Sequence, residues 1–337
     1  MKIIVDGFGG DNAPLAIIEG CALAVNELGV DITIVGNEQI IKDVATENNI
    51  NMDKISIVNA NSVIAMDDDN TVIMKGKSDS SMAVGMKLLA NGEGDVFITA
   101  GSTGAAVVGG TMIVKRIKGI KRPALATQMP TAKSSVMVVD IGANVECRPS
   151  MLAQFGIMGS AYMNGVAGVE NPRVGLINNG TEETKGNELV KSAYQSLKNA
   201  PVNFVGNIEA REINNGAADV AVCDGFTGNI ILKLTEGLSS TLMSMVAGAV
   251  KSAPISEPDM MSVFGQLKKL GKQLDYTEYG AAPLLGLKKP VFKAHGSSNA
   301  KAINSAIRQA VKYVDGKVTE KIIDGISKMG NEEDGEN

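Results

Sequence analysis

The chain is poor in the residues that stack on nucleobases or build metal and disulfide frameworks. Among its 337 residues there is no Trp, aromatic residues make up 4%, and there are three cysteines and one histidine. Few aromatic side chains and a net charge of −5 argue against nucleic acid as a partner. Cys21, Cys147 and Cys223 are too scattered for a zinc cage or a disulfide framework. We expect these three cysteines to be small core residues of a protein in a reducing cytoplasm. The sequence predicts neither a metal site nor a bound cofactor.

Long apolar runs are also lacking. No run approaches the roughly 18 residues that a membrane span needs. The chain begins directly with a strand pattern, Met-Lys-Ile-Ile-Val-Asp, rather than a signal segment. We therefore expect a cytoplasmic protein that at most associates with a membrane surface. Glycine, by contrast, is abundant at 38 residues, which indicates many tight turns.

Strand and helix patterns alternate along the chain. The predicted strands are 1–5, 32–36, 56–59, 95–100, 134–140, 173–177, 203–206 and 220–223, and the predicted helices are 14–28, 38–47, 82–91, 101–118, 149–166 and 188–200. This alternation favours an α/β fold with three α/β/α layers and a mostly parallel sheet. In such sheets ligands collect at the carboxyl ends of the strands, which we expect to form one shared edge.

Residues 219–237 form the stretch around which the rest is organised. A short apolar strand meets a turn flanked by Gly225 and Gly228, and a helix follows from about Thr227 or Asn229. Glycines let a backbone approach a ligand closely, and the first amides of a helix suit an anion such as phosphate. The same pattern also fits a plain connection between a strand and a helix.

Other turns after predicted strands carry groups that suit an anion. One is the glycine turn Gly9-Gly10-Asp11, and another is Ser102-Thr103-Gly104. Lys77 precedes a helix start, and Asn144 follows a buried strand. The recurrence of such turns favours a small-anion site more strongly than any single turn does.

Beyond Gly237 the pattern becomes helical and apolar. Residues 238–275 predict a helical hairpin that projects from the sheet, with Pro254 and Pro258 between its helices. Its Met-rich faces fit either a subunit contact or a tip that touches a partner or membrane surface. A last helix is predicted over 298–318, and residues 331–337 form an acidic tail that we expect to be disordered.

Three familiar catalytic or nucleotide-binding motifs are incomplete or absent in this sequence. The turn after the first strand begins like a dinucleotide fingerprint but has Asn12 where the last glycine belongs. Residues 180–186 resemble a P-loop but have the wrong lysine spacing, and no Gly-x-Ser-x-Gly elbow occurs. Covalent catalysis is not demanded by anything in the sequence.

Taken together, the turns resemble the phosphate acyltransferase family of bacterial phospholipid synthesis. The resemblance covers nearly the whole chain and rests on 6–11, Lys77 with 80–82, 101–105, 140–144, 180–187, 206–209, 223–229, 279–286 and 295–298. Departures are Phe8 for Met, Asn12 for His and Ser102 for Asn. Because Asn12 cannot act as an acid or base at neutral pH, no such role is assigned there.

The resemblance implies an acyl transfer from acyl carrier protein to inorganic phosphate, which yields acyl phosphate and free carrier protein. It also implies a homodimer with a fold like that of isocitrate and isopropylmalate dehydrogenases and phosphotransacetylase, in which residues 1–330 form one domain with two lobes around a cleft. Peripheral membrane association is implied too, with acyl phosphate passed to a membrane-bound glycerol-3-phosphate acyltransferase. The alternatives are a phosphotransacetylase that uses coenzyme A, an NAD-dependent dehydrogenase, or a non-catalytic regulator that binds an anion.

Phosphate is already a nucleophile and a thioester has a good leaving group. The enzyme therefore mainly has to align the two substrates and stabilise the tetrahedral oxyanion. As a hypothesis, the catalytic residues are Lys185, His295, Asp224 and Asn229. Substrate-binding positions are Gly9, Gly10, Asp11, Lys77, Ser102, Thr103, Gly104, Asn144, Gly225 and Gly228. Structural alternatives remain open: Asp224 as a helix cap, His295 in a capping or core hydrogen bond, and Lys185 as a surface lysine.

Overall fold

A computed structural model describes residues 1–132, 134–274 and 280–329. The strands are β1 (Lys2–Asp6), β2 (Asp31–Gly36), β3 (Ile55–Asn59), β4 (Val96–Thr99), β5 (Ala124–Pro130), β6 (Ser135–Val139), β7 (Arg173–Asn178), β8 (Asn203–Glu209), β9 (Val220–Val222), β10 (Ala281–Leu285) and β11 (Val291–Ala294). The helices are α1 (Leu15–Leu28), α2 (Glu38–Glu47), α3 (Ser81–Ala90), α4 (Thr103–Gly109), α5 (Pro149–Ala167), α6 (Glu188–Asn199), α7 (Ala210–Ile213), α8 (Gly225–Ser252), α9 (Glu257–Leu274), α10 (Ala300–Asp315) and α11 (Val318–Lys328).

All described strands join one sheet of 11 strands in the order β3-β2-β1-β4-β11-β10-β5-β6-β9-β7-β8. The first five strands of that order are parallel to one another, and so are the last four. Between the two blocks, β10 and β5 pair in antiparallel fashion with each other and with their outer neighbours. Three reversals separate the blocks, so their strands point in opposite directions.

Both faces of the sheet are covered. Along β1, Ile3 and Val5 pack into one core cluster with α1, α5 and α10, while Ile4 packs into a second cluster with α3 and α4. Successive strand side chains point to opposite faces, so a strand with both neighbours apolar needs helices on each side. The result is the expected three-layer α/β/α arrangement.

The observed elements differ from the predicted ones in the middle and at the end of the chain. Strands β5, β10 and β11 were not predicted. The carboxyl ends of the strands do not form the single edge that was expected, because antiparallel pairs reverse the direction of one block relative to the other. The helix predicted over 298–318 is α10, which begins at Ala300 and ends at Asp315, and the following helix α11 was not predicted. The start of α8 lies at Gly225, earlier than Thr227 or Asn229. The division into one domain with two lobes stays a prediction, and the tail 331–337 and residue 275 lie outside the described residues.

Helices α8 and α9 form the predicted hairpin and contact each other. Along α8, Phe226, Ile230, Leu234, Leu238 and Leu242 are between 50% and 67% exposed. Contrary to the expectation from apolar runs, α8 is long and apolar enough to cross a membrane by length and composition, the one such helix among the described residues. It reaches that length because the strand-to-helix turn and the apolar segment belong to one helix of 28 residues.

Candidate active site

A cavity of about 540 Å³, called here the central cavity, is lined by residues from both strand blocks. It receives residues from the loops after β1, β4 and β11 of the first block and after β6 and β9 of the second, and from β5 and β10 between them. Its walls are partly apolar and partly charged. The apolar lining is Met66, Leu125, Ile141, Val145, Phe226 and Leu232; the polar and charged lining is Asp11, Thr103, Thr127, Asn229, Lys233, Glu236, Lys293, His295 and Ser298.

Lys293 is a buried cation in the wall of the central cavity, with 9% of its surface exposed. Its ammonium donates to the carbonyl oxygen of Ala100 over 3.3 Å and to that of Ala294. An ammonium has three donors, so one remains without an acceptor among the described residues. Burial lowers the pKa of Lys293 to about 8, with Asp6 and Asp11 acting in the opposite direction.

A buried network behind Lys293 joins the loops after β1 and β4. The Thr99 hydroxyl donates to Asp6 over 2.7 Å and accepts the amide of Gly101 over 3.0 Å. Burial raises the pKa of the Asp6 carboxyl, while hydrogen bonds from Ser81 and Thr99 and the charge of Lys293 lower it. The network fixes the position of the loop from which Thr103 enters the cavity.

The loop after β11 presents His295 and Ser298. The amide of Ser297 approaches Nδ1 of His295 at 3.2 Å, so Nδ1 acts as an acceptor and the neutral ring carries its proton on Nε2. The amide of Asp11 donates to the carbonyl oxygen of Gly296 over 2.8 Å, which ties this loop to the loop after β1. Ser298 is 6% exposed, and its hydroxyl has no partner among the described residues. A buried hydroxyl in that state, at a cavity wall, is suited to a ligand.

The N-terminus of α8 borders the cavity but its amides are largely used within the protein. Asp224 caps the helix by accepting the amide of Thr227 over 2.8 Å and its hydroxyl over 2.9 Å. The amide of Gly225 donates to the carbonyl oxygen of Asn144 over 2.7 Å. Gly225 lines the cavity, whereas a Cβ at Gly228 would lie 1.9 Å from the carbonyl oxygen of Asp140. Gly228 therefore serves close packing of α8 against the loop after β6.

One turn further along α8, Lys233 and Glu236 also line the cavity. Lys233 donates to one Glu236 oxygen over 2.8 Å, and the other oxygen is buried without a partner among the described residues. Lys233 is about half exposed, so this pair contributes little to stability by itself. Its position beside Lys293 gives the cavity a second cation.

The structure brings together five of the residues that the sequence singled out. They are Asp11, Thr103, Gly225, Asn229 and His295. The other predicted positions lie behind the walls or apart from them. Ser102 caps α4, and Gly9, Gly10 and Gly104 are close-packed against neighbouring loops; Asn144 donates to Asp140 and to the carbonyl oxygen of Pro123.

Two predicted lysines do not line the central cavity. Lys77 pairs with Asp68 at 2.5 Å and donates to the carbonyl oxygen of Val63, so it holds the segment that carries Met66. Lys185 is exposed on the loop after β7. The next residue in the chain, Gly186, lines a second hollow of about 460 Å³ that also includes Asp224. This second hollow lies on the other side of the α8 N-terminus.

Sequence reasoning missed Lys293, Lys233, Glu236 and Thr127. A signal for Lys293 was present, because a lysine inside the strand pattern Val-Phe-Lys-Ala is rare unless it is paired or functional. Thr127 lies in β5, a strand that was not predicted. Lys233 and Glu236 fall on a helix face that is indistinguishable from a solvated face in the sequence.

The three cysteines do not supply a nucleophile. Cys21 and Cys223 are buried, and burial raises the pKa of both thiols. Cys147 differs from the expected core residue, since it is only half-buried, although burial and nearby carboxylates still raise its pKa to about 12. A thiolate at neutral pH is therefore disfavoured at each position.

Comparison with solved structures supports the fold. The chain resembles a phosphotransacetylase from Streptococcus pyogenes with a TM-score of 0.64 at 18% identity, covering 95% of this chain and 94% of that one. A EutD phosphotransacetylase from Staphylococcus aureus gives a TM-score of 0.62 at 15% identity, with coverage of 93% and 94%. A 4-hydroxythreonine-4-phosphate dehydrogenase homologue from Salmonella typhimurium gives 0.53 at 11% identity, covering 93% of this chain and 98% of that one. The α/β prediction, with its relation to phosphotransacetylases and dehydrogenases, is confirmed.

Comparison with sequences identifies the class. A family described as "Fatty acid synthesis protein" matches residues 1–321. The chain is 47% identical over 333 residues to a phosphate acyltransferase from Alkaliphilus oremlandii, with 99% of each chain covered. It is 44% identical over 333 residues to one from Clostridioides difficile, with 98% of each covered.

The fold and these relatives define an acyltransferase that uses phosphate. More narrowly, the chain belongs to the phosphate acyltransferase family, as the sequence motifs predicted.

Proposed function

We propose that the enzyme transfers the acyl group of acyl-[acyl carrier protein] to inorganic phosphate, which gives acyl phosphate for phospholipid synthesis. The observation that carries this proposal is the central cavity, which combines apolar walls with two lysines in a member of this family. Apolar residues suit an acyl chain, and cations suit phosphate. The solved structures with the same fold are at most 18% identical to this chain, so their substrates do not decide the substrate of this enzyme.

Phosphate lies beside Lys293 in this proposal, with Lys233, Thr103 and the Ser298 hydroxyl around it. The unused donor of Lys293 and the unpartnered hydroxyl of Ser298 are both held in place before substrate arrives. Donors fixed in advance stabilise an anion without reorganisation during the reaction. The α8 N-terminus contributes less than the sequence suggested, because Asp224 and Asn144 already occupy two of its amides.

In the reaction a phosphate oxygen attacks the thioester carbonyl and forms a carbon–oxygen bond. The carbon–sulfur bond then breaks, and the thiolate takes up the proton that hydrogen phosphate gives up. The Nε2–H group of His295 donates a hydrogen bond to the departing sulfur and stabilises the thiolate until the phosphate proton reaches it, since Nδ1 accepts the amide of Ser297. Asn229 donates to the carbonyl oxygen as negative charge develops there, and neither a metal nor a covalent intermediate is invoked.

We also assign Lys185 to phosphate binding, because it belongs to the family motif at 180–187. Its exposed position beside the second hollow fits a loop that reaches toward the α8 N-terminus when substrate binds. Asp224 stabilises the N-terminal turn of α8 as a helix cap and does not transfer a proton.

The exposed ridge on α8 fits a homodimer. Phe226, Ile230, Leu234, Leu238 and Leu242 recur every four residues, and such a row packs between the rows of a second helix. The helix is about 42 Å long at 1.5 Å per residue, and the ridge ends at Leu242, about 15 Å before the C-terminal end of the helix at Ser252. A second copy covers the ridge, and the apolar residues near the tip, including Val246 and Ile255, contact the surface of the membrane that holds the acceptor acyltransferase. The enzyme is then cytoplasmic and peripherally bound.

The test is product formation. Purified protein is incubated with palmitoyl-[acyl carrier protein] and inorganic phosphate, and acyl phosphate is trapped with hydroxylamine. Parallel reactions use palmitoyl-coenzyme A in place of the carrier, and thermal unfolding is measured with NAD and with phosphate. Acyl phosphate formed from the carrier thioester supports the proposal. Turnover of the coenzyme A thioester alone, or stabilisation by NAD alone, overturns it.

A further inference from the structure

Basic side chains gather on one surface of this acidic chain, next to the central cavity. This basic surface comprises Lys115, Arg116, Lys118, Lys121, Arg122, Arg148, Lys288 and Lys289. Within the segments that carry them, 115–122, 145–148 and 286–289, Glu146 is the one acidic residue. The whole chain has a net charge of −5, so the local excess of positive charge opposes the overall balance.

Backbone pairing holds the surface together. The amide of Lys288 donates to the carbonyl oxygen of Lys115 over 2.9 Å, and Arg116 and Leu287 form an antiparallel bridge. Lys121 reaches the Ser150 hydroxyl over 2.8 Å, which joins this segment to the start of α5. The basic residues therefore share a fixed surface although they come from three parts of the chain.

The centre of the surface is a hollow of about 590 Å³ lined by Arg116, Lys121, Arg122, Glu146, Cys147, Arg148 and Met151. Arg122 and Arg148 are exposed and have no carboxylate within ion-pair distance among the described residues. Guanidinium groups without carboxylate partners remain available to an external anionic group.

The hollow adjoins the central cavity through two loops. Val145 lines the cavity and is 64% exposed, and the next residue, Glu146, lines the hollow. Similarly, Arg122 lines the hollow and Leu125 lines the cavity three residues later. Three residues span at most about 11 Å, so a partner seated on the basic surface lies beside the route into the cavity.

We propose that the basic surface is the docking site for the acidic carrier protein that presents the acyl thioester. The assignment rests on the proposed function and on charge complementarity: Arg122 and Arg148 meet carboxylates of the carrier at the side of the cavity from which its flexible thioester arm enters. Arg116 is tied to backbone carbonyls and shapes the hollow, and Lys115, Lys118, Lys288 and Lys289 extend the field around it.

The experiment compares charge-reversal variants with two forms of one thioester. The R122E/R148E variant is assayed with palmitoyl-[acyl carrier protein] and with a palmitoyl-pantetheine thioester that lacks the carrier. We expect KM for the carrier substrate to rise about tenfold or more and kcat/KM for the pantetheine thioester to stay unchanged. The matched control is K191E/K198E, which reverses two exposed lysines on α6 and should leave both substrates unaffected. Raised salt should increase the carrier KM of the wild type and not that of R122E/R148E.

The outcomes separate the two proposals. A wild-type enzyme that makes no acyl phosphate from the carrier thioester contradicts the proposed function itself. A wild type that does so, together with an unchanged carrier KM in R122E/R148E, overturns the docking site. If R122E/R148E loses the binding to phosphatidylglycerol vesicles that the wild type shows, and its carrier KM is unchanged, the surface is a lipid contact and the proposal is overturned.

Discussion

Gly228 of α8 packs directly against the backbone of Asp140, so that a Cβ at Gly228 would lie 1.9 Å from the carbonyl oxygen of Asp140. This contact places the first turn of α8 against the loop after β6. Asp140 itself accepts the amides of Leu125, Gly142, Ala143 and Asn144, which fixes that loop and its cavity residues. The position of α8 at the cavity thus depends on the absence of a side chain at Gly228.

Gly228→Ala should therefore destabilise the protein by about 2–3 kcal/mol, because the methyl group meets backbone atoms that cannot move aside freely. Gly237→Ala is the matched control on the same helix. No atom lies within 4 Å of a Cβ at Gly237, so alanine there should be neutral or stabilise by up to about 1 kcal/mol. Urea unfolding of both variants measures the difference. Equal stability of the two variants would show that the contact is looser than the structure indicates.

Lys185→Ala tests the contribution of the loop after β7. We expect KM for phosphate to rise or kcat to fall by about tenfold or more, as for the loss of a charged hydrogen bond in the site. The side chain is exposed, so the thermal unfolding temperature should not change. Lys191→Ala, an exposed lysine on α6, serves as the control. Wild-type kinetics in K185A would remove Lys185 from the site and make it a surface lysine.

The α8 ridge leads to a prediction about assembly. Leu234→Glu places a charge in the middle of the ridge, where it is 67% exposed in one chain and covered in the proposed dimer. We expect the variant to be folded and monomeric by light scattering, with a dimeric wild type. Ser240→Glu, on another face of the same helix, should leave the dimer intact. A dimer that survives L234E places the subunit contact elsewhere.

The tip of the hairpin is tested separately. A charge at Val246 or Met243 should weaken binding to vesicles without loss of activity in solution, because the tip is remote from the cavity. Sedimentation with phospholipid vesicles measures binding, and light scattering checks assembly. Unchanged vesicle binding would count against a membrane contact, and collapse of the dimer would assign these residues to the subunit interface.

Much of the fold follows from local patterns. Helix α2 was predicted with its observed bounds, since its apolar spacing is regular and Asn37 caps it. Strand β5, with the sequence Ala-Leu-Ala-Thr-Gln-Met-Pro, has few β-branched residues, and β10 contains Pro283, so neither shows a strand signal. The reversal between the strand blocks depends on these two strands and escaped prediction with them.

The site was predicted in part for the same reason. Turns with glycine and hydroxyl residues are visible in sequence, and they led to Asp11, Thr103 and Asn229. Tertiary packing decides which of these turn residues line the central cavity. Gly228 packs against the backbone of Asp140, and Asp224 caps α8, so neither lines it. The burial of Lys293 follows from the position of β11, which was not predicted as a strand, in the sheet interior between β4 and β10.

Lys293 provides the most direct test of the central claim that phosphate reacts beside a buried ammonium. Because its pKa lies near 8, the ammonium is charged below that pH and neutral above it. The unfolded chain, with a pKa near 10.5, binds more protons between these values, so this group makes the fold more stable as pH rises there. Its titration therefore cannot reduce activity above pH 8 through unfolding.

The measurement is the pH dependence of kcat/KM for phosphate in the wild type, Lys293→Arg and Lys293→Met, with thermal unfolding to verify each fold. We expect the wild-type value to fall as pH rises through about 8, the fall to move to higher pH in K293R, and K293M to lose about 100-fold at neutral pH. A folded K293M with wild-type phosphate kinetics, or the same basic limb in all three proteins, would contradict the account.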